Sequence, residues 1–378
     1  MKITGIICEY NPLHLGHAKQ IRTIRQENDS GIVCLMSGNF VQRGEPAILD
    51  KSLRAEAAIR CGADLVLEMP ITASLSSAEG FAAKSVEILG AFCNRLSFGA
   101  EHPDPDGLMA TAKALLSPDF PQQLRNALDT GISFPAARQR ALEEMGVAGN
   151  LLQSPNDILA VEYCKAILSQ GSDMVAAPIY RGGNYHADTP DAENPSATSL
   201  RQMLTTGTDI TPYLPAEAAD IFQSGTLHTL ACAEKAILGK LRTMTDEEFS
   251  TVPYGSEGLW RKLMRSARTC ASLEELFASV KSKRYTYTRI SRMVMCAFLG
   301  ITEETLNTPV PYVRVLAFNE KGREILKQAR TTGTFINAGQ KTDDAYYTLE
   351  TRCGDLYGLF SATPEAPGAE GRRRVVSL

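Results

Sequence analysis

The chain has 378 residues, 44% of them hydrophobic and 22% charged, with a formal net charge of −4. That length exceeds what one hydrophobic core usually organises, so two domains are expected, and the composition is that of a soluble globular protein rather than a disordered or fibrous one. No stretch approaches the run of roughly 18 apolar residues that a membrane span needs, and the apolar start meets Glu9 too soon for the core of a signal peptide, so the expected address is the cytoplasm, with no membrane partner.

The nine cysteines are scattered, with no CxxC pair to suggest a zinc or redox site. They read as small buried hydrophobes, and an odd count without a secretion signal speaks against a disulfide framework.

In chain order, Lys2–Cys8 and Gly31–Met36 are Ile- and Val-bearing runs that predict buried strands. Between them, Ala18, Ile21 and Ile24 recur at helical spacing. The alternation continues: helix Lys51–Cys61, strand Ala63–Met69 stopped by Pro70, helix Ser77–Leu89, strand Arg95–Gly99, helix Asp157–Ser169 and strand Met174–Tyr180, followed by a loop Arg181–Tyr185. Strands alternating with helices predict an α/β, Rossmann-like, doubly wound parallel sheet. After Arg201 the pattern turns helical (Ala216–Phe222, Leu227–Leu241, Gly258–Arg268, Leu273–Val280, Thr288–Leu299), before a strand at Pro309–Phe318 and a helix at Lys321–Ala329. The expected division is a catalytic domain over 1–204, a mainly α-helical basic domain over 205–360 and a disordered tail over 361–378, where Pro, Gly and three consecutive arginines gather.

The densest chemistry lies where the first strand hands over to the first helix, at Glu9-Tyr10-Asn11-Pro12-Leu13-His14-Leu15-Gly16-His17. Two of the five histidines in the chain stand here three residues apart, so both can face one side of the helix's first turn. Gly16 lets a ligand approach the backbone, and the helix start favours an anion. Imidazole donors can follow charge onto a phosphate as a bond to it breaks. An isolated His-x-x-His pair is more often a surface pair or half a metal site, but placement after an Ile-rich strand favours the ligand reading.

The HLGH string resembles the HxGH signature of the superfamily of class I aminoacyl-tRNA synthetases and small nucleotidyltransferases. The longer strings Cys8–Pro12, Met36–Ala47, Ser97–Glu101, Ser154–Asp157, Tyr180–Gly183, Pro195–Arg201 and Lys283–Thr286 are similar to the bacterial tRNA(Met) cytidine acetate ligase family, over the chain to about residue 330. The resemblance implies a ligase that activates acetate with ATP, in all expectation with Mg²⁺, forms acetyl-adenylate and pyrophosphate, and acetylates the exocyclic amine of the wobble cytidine of elongator tRNA(Met), giving N4-acetylcytidine. It implies an ATP site formed by Ile7, Cys8, Glu9, Tyr10, Asn11, Pro12, Leu13, His14, Leu15, Gly16, His17, Ala18, Lys19 and Gln20, with Gly99, Asn156 and Arg181. His14 and His17 are the expected catalytic pair. Partners other than tRNA and acetate, such as DNA or an obligate protein, are not expected.

Further residues are candidates by position. Ser37, Asn39 and Arg43 follow the second strand, and Arg43 is suited to neutralise phosphate or acetate; a plain connecting loop explains the neighbouring glycines as well. Thr198, Ser199 and Arg201 resemble the second superfamily motif, which clasps leaving phosphates, although Ser196 or Thr198 would equally serve as a helix N-cap. Between Arg261 and Arg292, nine basic residues face only Glu274 and Glu275. From that segment Arg261, Lys262, Arg265, Lys283, Arg284, Tyr285 and Arg289 are the expected tRNA contacts, with a solvated helix face as the bland alternative. The rival function is a small-molecule adenylyltransferase that releases pyrophosphate and ignores RNA.

Overall fold

The computed structural model describes residues 1–27, 30–132, 134–147, 149–181 and 195–378; most of the expected Arg181–Tyr185 loop lies outside the described residues. Its strands are β1 (Ile3–Cys8), β2 (Gly31–Ser37), β3 (Phe40–Val41), β4 (Glu45–Pro46), β5 (Leu65–Met69), β6 (Arg95–Ala100), β7 (Val175–Tyr180), β8 (Val313–Phe318), β9 (Phe335–Asn337) and β10 (Val376–Ser377). Helix α1 is Leu15–Glu27 and α2 is Lys51–Arg60; other helices are given by their bounds.

The sheet runs β10-β8-β5-β2-β1-β6-β7, with β9 also on β8. From β5 to β7 every pairing is parallel. The chain leaves β1 for β2 on one side and later returns to β6 on the other, so a crevice opens at the carboxyl end of β1, where open α/β sheets bind ligands. Every residue of β2 is buried, as a central strand covered on both faces requires. One cover is α1 and α2, whose Ile21, Ile24, Ala55, Ala58 and Ile59 pack on Ile6, Cys34 and Val66. The other is made by helices Ala78–Gly90 and Pro155–Ser169, through Phe81, Val86, Leu89, Val161 and Cys164.

Residues 205–307 form the helices expected of them, around a core that includes Ile237, Leu263, Phe277, Ile290 and Val294. The helix expected over Leu227–Leu241 starts at Glu234. Two expectations are corrected. The strand at the end of the helical part, β8, pairs antiparallel with β5 and so belongs to the main sheet rather than to a separate helical unit. The tail is structured: β10 pairs with β8, Ala369–Arg372 is a helical turn, and Glu370 is buried. A buried ion network holds it there. Lys51 Nζ lies 2.6 Å from Glu68 and 2.8 Å from Glu370, Arg314 reaches Glu68, Glu350 and Glu370, and Arg373 pairs with Asp50 and Glu370. Composition marks the arginine run as disordered because Asp50, the partner of Arg373, lies more than 300 residues away. All nine cysteines are free. Among the described residues no helix is long and apolar enough to cross a membrane.

Candidate active site

Beyond β1 the chain turns sharply. Tyr10 holds a φ of +46°, a conformation that costs a side-chain-bearing residue energy, and burial of its ring, with its hydroxyl 3.4 Å from Cys34 Sγ, keeps it there. The His14 carbonyl accepts the amides of His17 and Ala18 at 2.9 and 3.1 Å, so His14 caps α1 rather than lying within it. Its Nδ1 accepts the Gly16 amide at 3.2 Å, and His17 Nδ1 accepts the His14 amide at 3.3 Å. With both Nδ1 atoms acting as acceptors, each neutral ring carries its proton on Nε2. The rings stack with centroids 3.7 Å apart, and His17 meets the Tyr10 ring edge-on at 5.1 Å.

Burial, reinforced by Arg181, pushes His14 down to about 3. Burial, then His14 and Arg181, also lowers His17. Both are therefore neutral donors at physiological pH. His14 Nε2 is buried with no hydrogen-bond partner among the described residues. A buried donor left unmatched is costly and marks a place where a ligand acceptor fits.

A cavity of about 380 Å³ opens beside the pair, lined among others by Ile7 to Asn11, His17, Gln20, Gly99, Asn156, Thr198, Arg43, Arg181 and Arg201. A smaller one of about 60 Å³ touches His14, Gly16, His17, Lys19, Gln20 and Arg181. Among the described lining residues of the larger cavity three arginines face a single carboxylate, Glu9, a balance that suits a polyanion. Glu9 is already engaged by the Gln42 amide at 2.9 Å. No group of three His, Cys, Asp or Glu side chains among the described residues is placed to hold a metal ion.

The other candidates divide by where the structure places them. Ser196 caps helix Ala197–Thr205 and also bonds Ser199, which leaves Thr198 and Arg201 on the cavity wall and Ser199 off it. Arg201 donates to the Asn11 carbonyl at 2.8 Å. The Asn11 side chain holds the loop by accepting the Ile48 amide at 2.7 Å. Arg181 donates to Asn156 at 3.3 Å, and the Glu101 carboxylate accepts the amides of Asn156 and Asp157, capping helix Pro155–Ser169 from a distance. Ser37 and Asn39 are buried and turn away from the cavity; Asn39 accepts the Lys51 amide at 2.9 Å. Leu13 joins the apolar layer beneath α1.

In the basic segment Arg261, Arg265, Lys283 and Arg284 are exposed. Lys262 and Arg289 are drawn inward, onto the carbonyls of Val280 and Tyr254. Tyr285 lies beneath Arg284 and Arg289.

Arg54 escapes a reading by pattern. It lies on α2 among charged neighbours, yet its side chain is buried, donating to the carbonyls of Glu9 (2.6 Å), Ser37 (3.0 Å), Gly38 and Leu49 (2.9 Å). It ties the carboxyl ends of β1 and β2 together beneath the cavity. The helical face it shares with Ala55 and Ala58 gave a weak signal at best. A separate cleft of about 450 Å³ in the helical region is walled by Leu230, Leu273, Phe277 and Ala278 and offers little for phosphate.

A mostly parallel sheet with a neutral, stacked HxGH pair at its switch point and a cationic cavity beside it defines a nucleotidyltransferase of the HxGH class. The model of the HIGH Nucleotidyl Transferase family matches residues 1–370. The chain is 39% identical to the tRNA(Met) cytidine acetate ligase of Clostridium novyi, covering 87% of this chain and 88% of the relative. It is 34% identical to that of Clostridium tetani, over 96% of each. Crystal structures of Thermotoga maritima TmcAL superpose over the full length of both chains at 28% identity, the apo form with a TM-score of 0.91 and a form bound with alpha-thio ATP with 0.88. The chain belongs to the HIGH nucleotidyl transferases and, within them, to the tRNA(Met) cytidine acetate ligase family.

Proposed function

We propose that this enzyme activates acetate with ATP and passes the acetyl group to the exocyclic amine of the wobble cytidine in elongator tRNA(Met). The observation that carries the nucleotide chemistry is the buried Nε2 of His14, without a hydrogen-bond partner among the described residues, at a cavity that His14 shares with His17 and Arg181. An acetate oxygen attacks the α-phosphorus, the bond to the β-phosphate oxygen breaks, and pyrophosphate leaves. The Nε2 donors of His14 and His17, preorganised by their Nδ1 bonds, stabilise the charge that develops on the phosphates. Arg181 and Arg201 neutralise the polyanion, and the rest of the rate comes from holding carboxylate and phosphorus in line.

In the second half-reaction the cytidine amine attacks the acetyl carbon, the bond to the adenylate oxygen breaks, AMP departs and the amine gives up a proton. A wobble base is unpaired, so it can enter a cavity without a duplex being opened. The exposed arginines and Lys283 of the helical region supply the basic surface that RNA requires. The name carried by the relatives supports the choice of acetate and tRNA(Met).

The test is acetate-dependent exchange of labelled pyrophosphate into ATP. Exchange that needs acetate and disappears in His14→Ala supports the reading. Pyrophosphate release driven by a phosphorylated metabolite and indifferent to acetate and RNA supports the small-molecule adenylyltransferase instead.

A further inference from the structure

The three-residue turn Gln42-Arg43-Gly44 joins β3 to β4, and it is gripped from two sides. On the cavity side the Gln42 amide donates to Glu9 at 2.9 Å, and Glu45, just past the turn, lies 3.6 Å from Arg201. Arg43 itself is exposed at the cavity wall and has no ion pair or hydrogen bond among the described residues. From the other side comes helix Tyr287–Leu299. Ser291 Oγ donates to the Gly44 carbonyl at 2.9 Å and Arg292 donates to the Gln42 carbonyl at 3.3 Å. Gly44 has a φ of +78°, and a Cβ there would stand 2.4 Å from the Arg292 backbone nitrogen. The turn therefore lies backbone to backbone on the helix, and only glycine permits both the conformation and the approach.

The same helix connects to the basic surface. Arg292 lies over the Tyr254 ring at 5.1 Å, Arg289 donates twice to the Tyr254 carbonyl, and Arg289 also lies over Tyr285, next to exposed Arg284. Among the described residues Thr288, from this helix, is the one residue beyond 205 that lines the cavity. An acceptor strand held on the helical region would enter past Thr288 and Arg43 and reach His17 and Arg181 on the same cavity wall, with His14 in the smaller cavity beyond.

We infer that Arg43 receives a backbone phosphate of the incoming RNA strand in the transfer half-reaction, and that Gly44, Ser291 and Arg292 are positioning residues that fix its turn to the helical region. The inference rests on the acetyl-transfer reading. An exposed guanidinium without an internal partner is a ready phosphate fork, and RNA brings one phosphate per nucleotide to the mouth of the cavity.

The experiment uses the full chain with Gly44→Ala, Ser291→Ala and Ser291→Thr. Each is assayed for acetate-dependent ATP–pyrophosphate exchange without RNA, and separately for kcat/KM of acetyl transfer to tRNA(Met). The expected result is exchange within about twofold of the unaltered chain, with transfer lowered about 5- to 10-fold in Ser291→Ala, further in Gly44→Ala, and restored in Ser291→Thr, which keeps the hydroxyl. Should Gly44→Ala fail to fold, the serine pair decides. Exchange and transfer falling by the same factor, or transfer unchanged in Ser291→Ala, overturns the inference. Absence of acetate-dependent exchange in the unaltered chain overturns the acetate reading and this inference with it.

Discussion

The His14 and His17 rings stack 3.7 Å apart at 26°, and each uses its Nδ1 to accept a backbone amide from the same turn. The turn itself thus chooses the tautomer and leaves both protons on Nε2, the ring nitrogen that the turn does not engage. Removing His14 removes a preorganised donor and the surface on which His17 rests. For His14→Ala, acetate-dependent pyrophosphate exchange should fall by about 10²- to 10³-fold, measured at saturating ATP; a loss under tenfold would contradict the assigned role.

The same burial has a cost that pH reveals. In the unfolded chain both histidines take up protons below their ordinary pKa near 6.5, while in the fold His14 stays neutral down to about 3. The unfolded state binds more protons in that window, so stability is full above pH ~6.5 and falls as the pH drops below it, by about 1 kcal/mol per pH unit per histidine. Urea unfolding of the unaltered chain and of His14→Gln at pH 7 and pH 5.5 reads the share of His14, together with the part of the His17 shift that His14 causes. The variant should lose less stability on acidification; equal losses would show that His14 is protonated in the fold.

Arg54 joins β1 to β2 through four carbonyl oxygens. Arg54→Met keeps the volume and leaves these acceptors without a donor, which should cost on the order of 3 kcal/mol in urea unfolding. A change below about 1 kcal/mol would mean that other donors or water replace it.

Deleting residues 369–378 removes Glu370 and Arg373 and strands Lys51 and Arg314 with fewer counter-charges in a buried site. Breaking such a network costs roughly 3–5 kcal/mol, so the truncated chain should unfold at clearly lower urea concentration. A silent deletion would restore the view of the tail as an unstructured appendage.

The sequence carries the first domain's architecture plainly, because alternating apolar runs and helical stripes are local signals: β1, α1 and β2 fall where Ile3, Ile21 and Val33 place them. The HxGH pair is equally local. What it does not carry is pairing over distance. Nothing near Val313–Phe318 says that this strand adds to β5, and nothing near Arg373 says that Asp50 awaits it. Lys51 and Arg54 illustrate the same limit. On an otherwise amphipathic helix their charges read as solvent-facing, and only the fold supplies the carboxylates and carbonyls that draw them inside. Likewise composition marks Arg261 to Arg292 as basic but cannot say that Arg289 and Arg292 turn inward while Arg284 stays exposed.

The most direct test of the central claim is mass spectrometry of nucleosides from elongator tRNA(Met) incubated with the enzyme, ATP and isotopically labelled acetate. Labelled N4-acetylcytidine is expected at the wobble position, dependent on ATP and absent with His14→Ala. Unmodified tRNA under conditions where the enzyme still turns over ATP would contradict it.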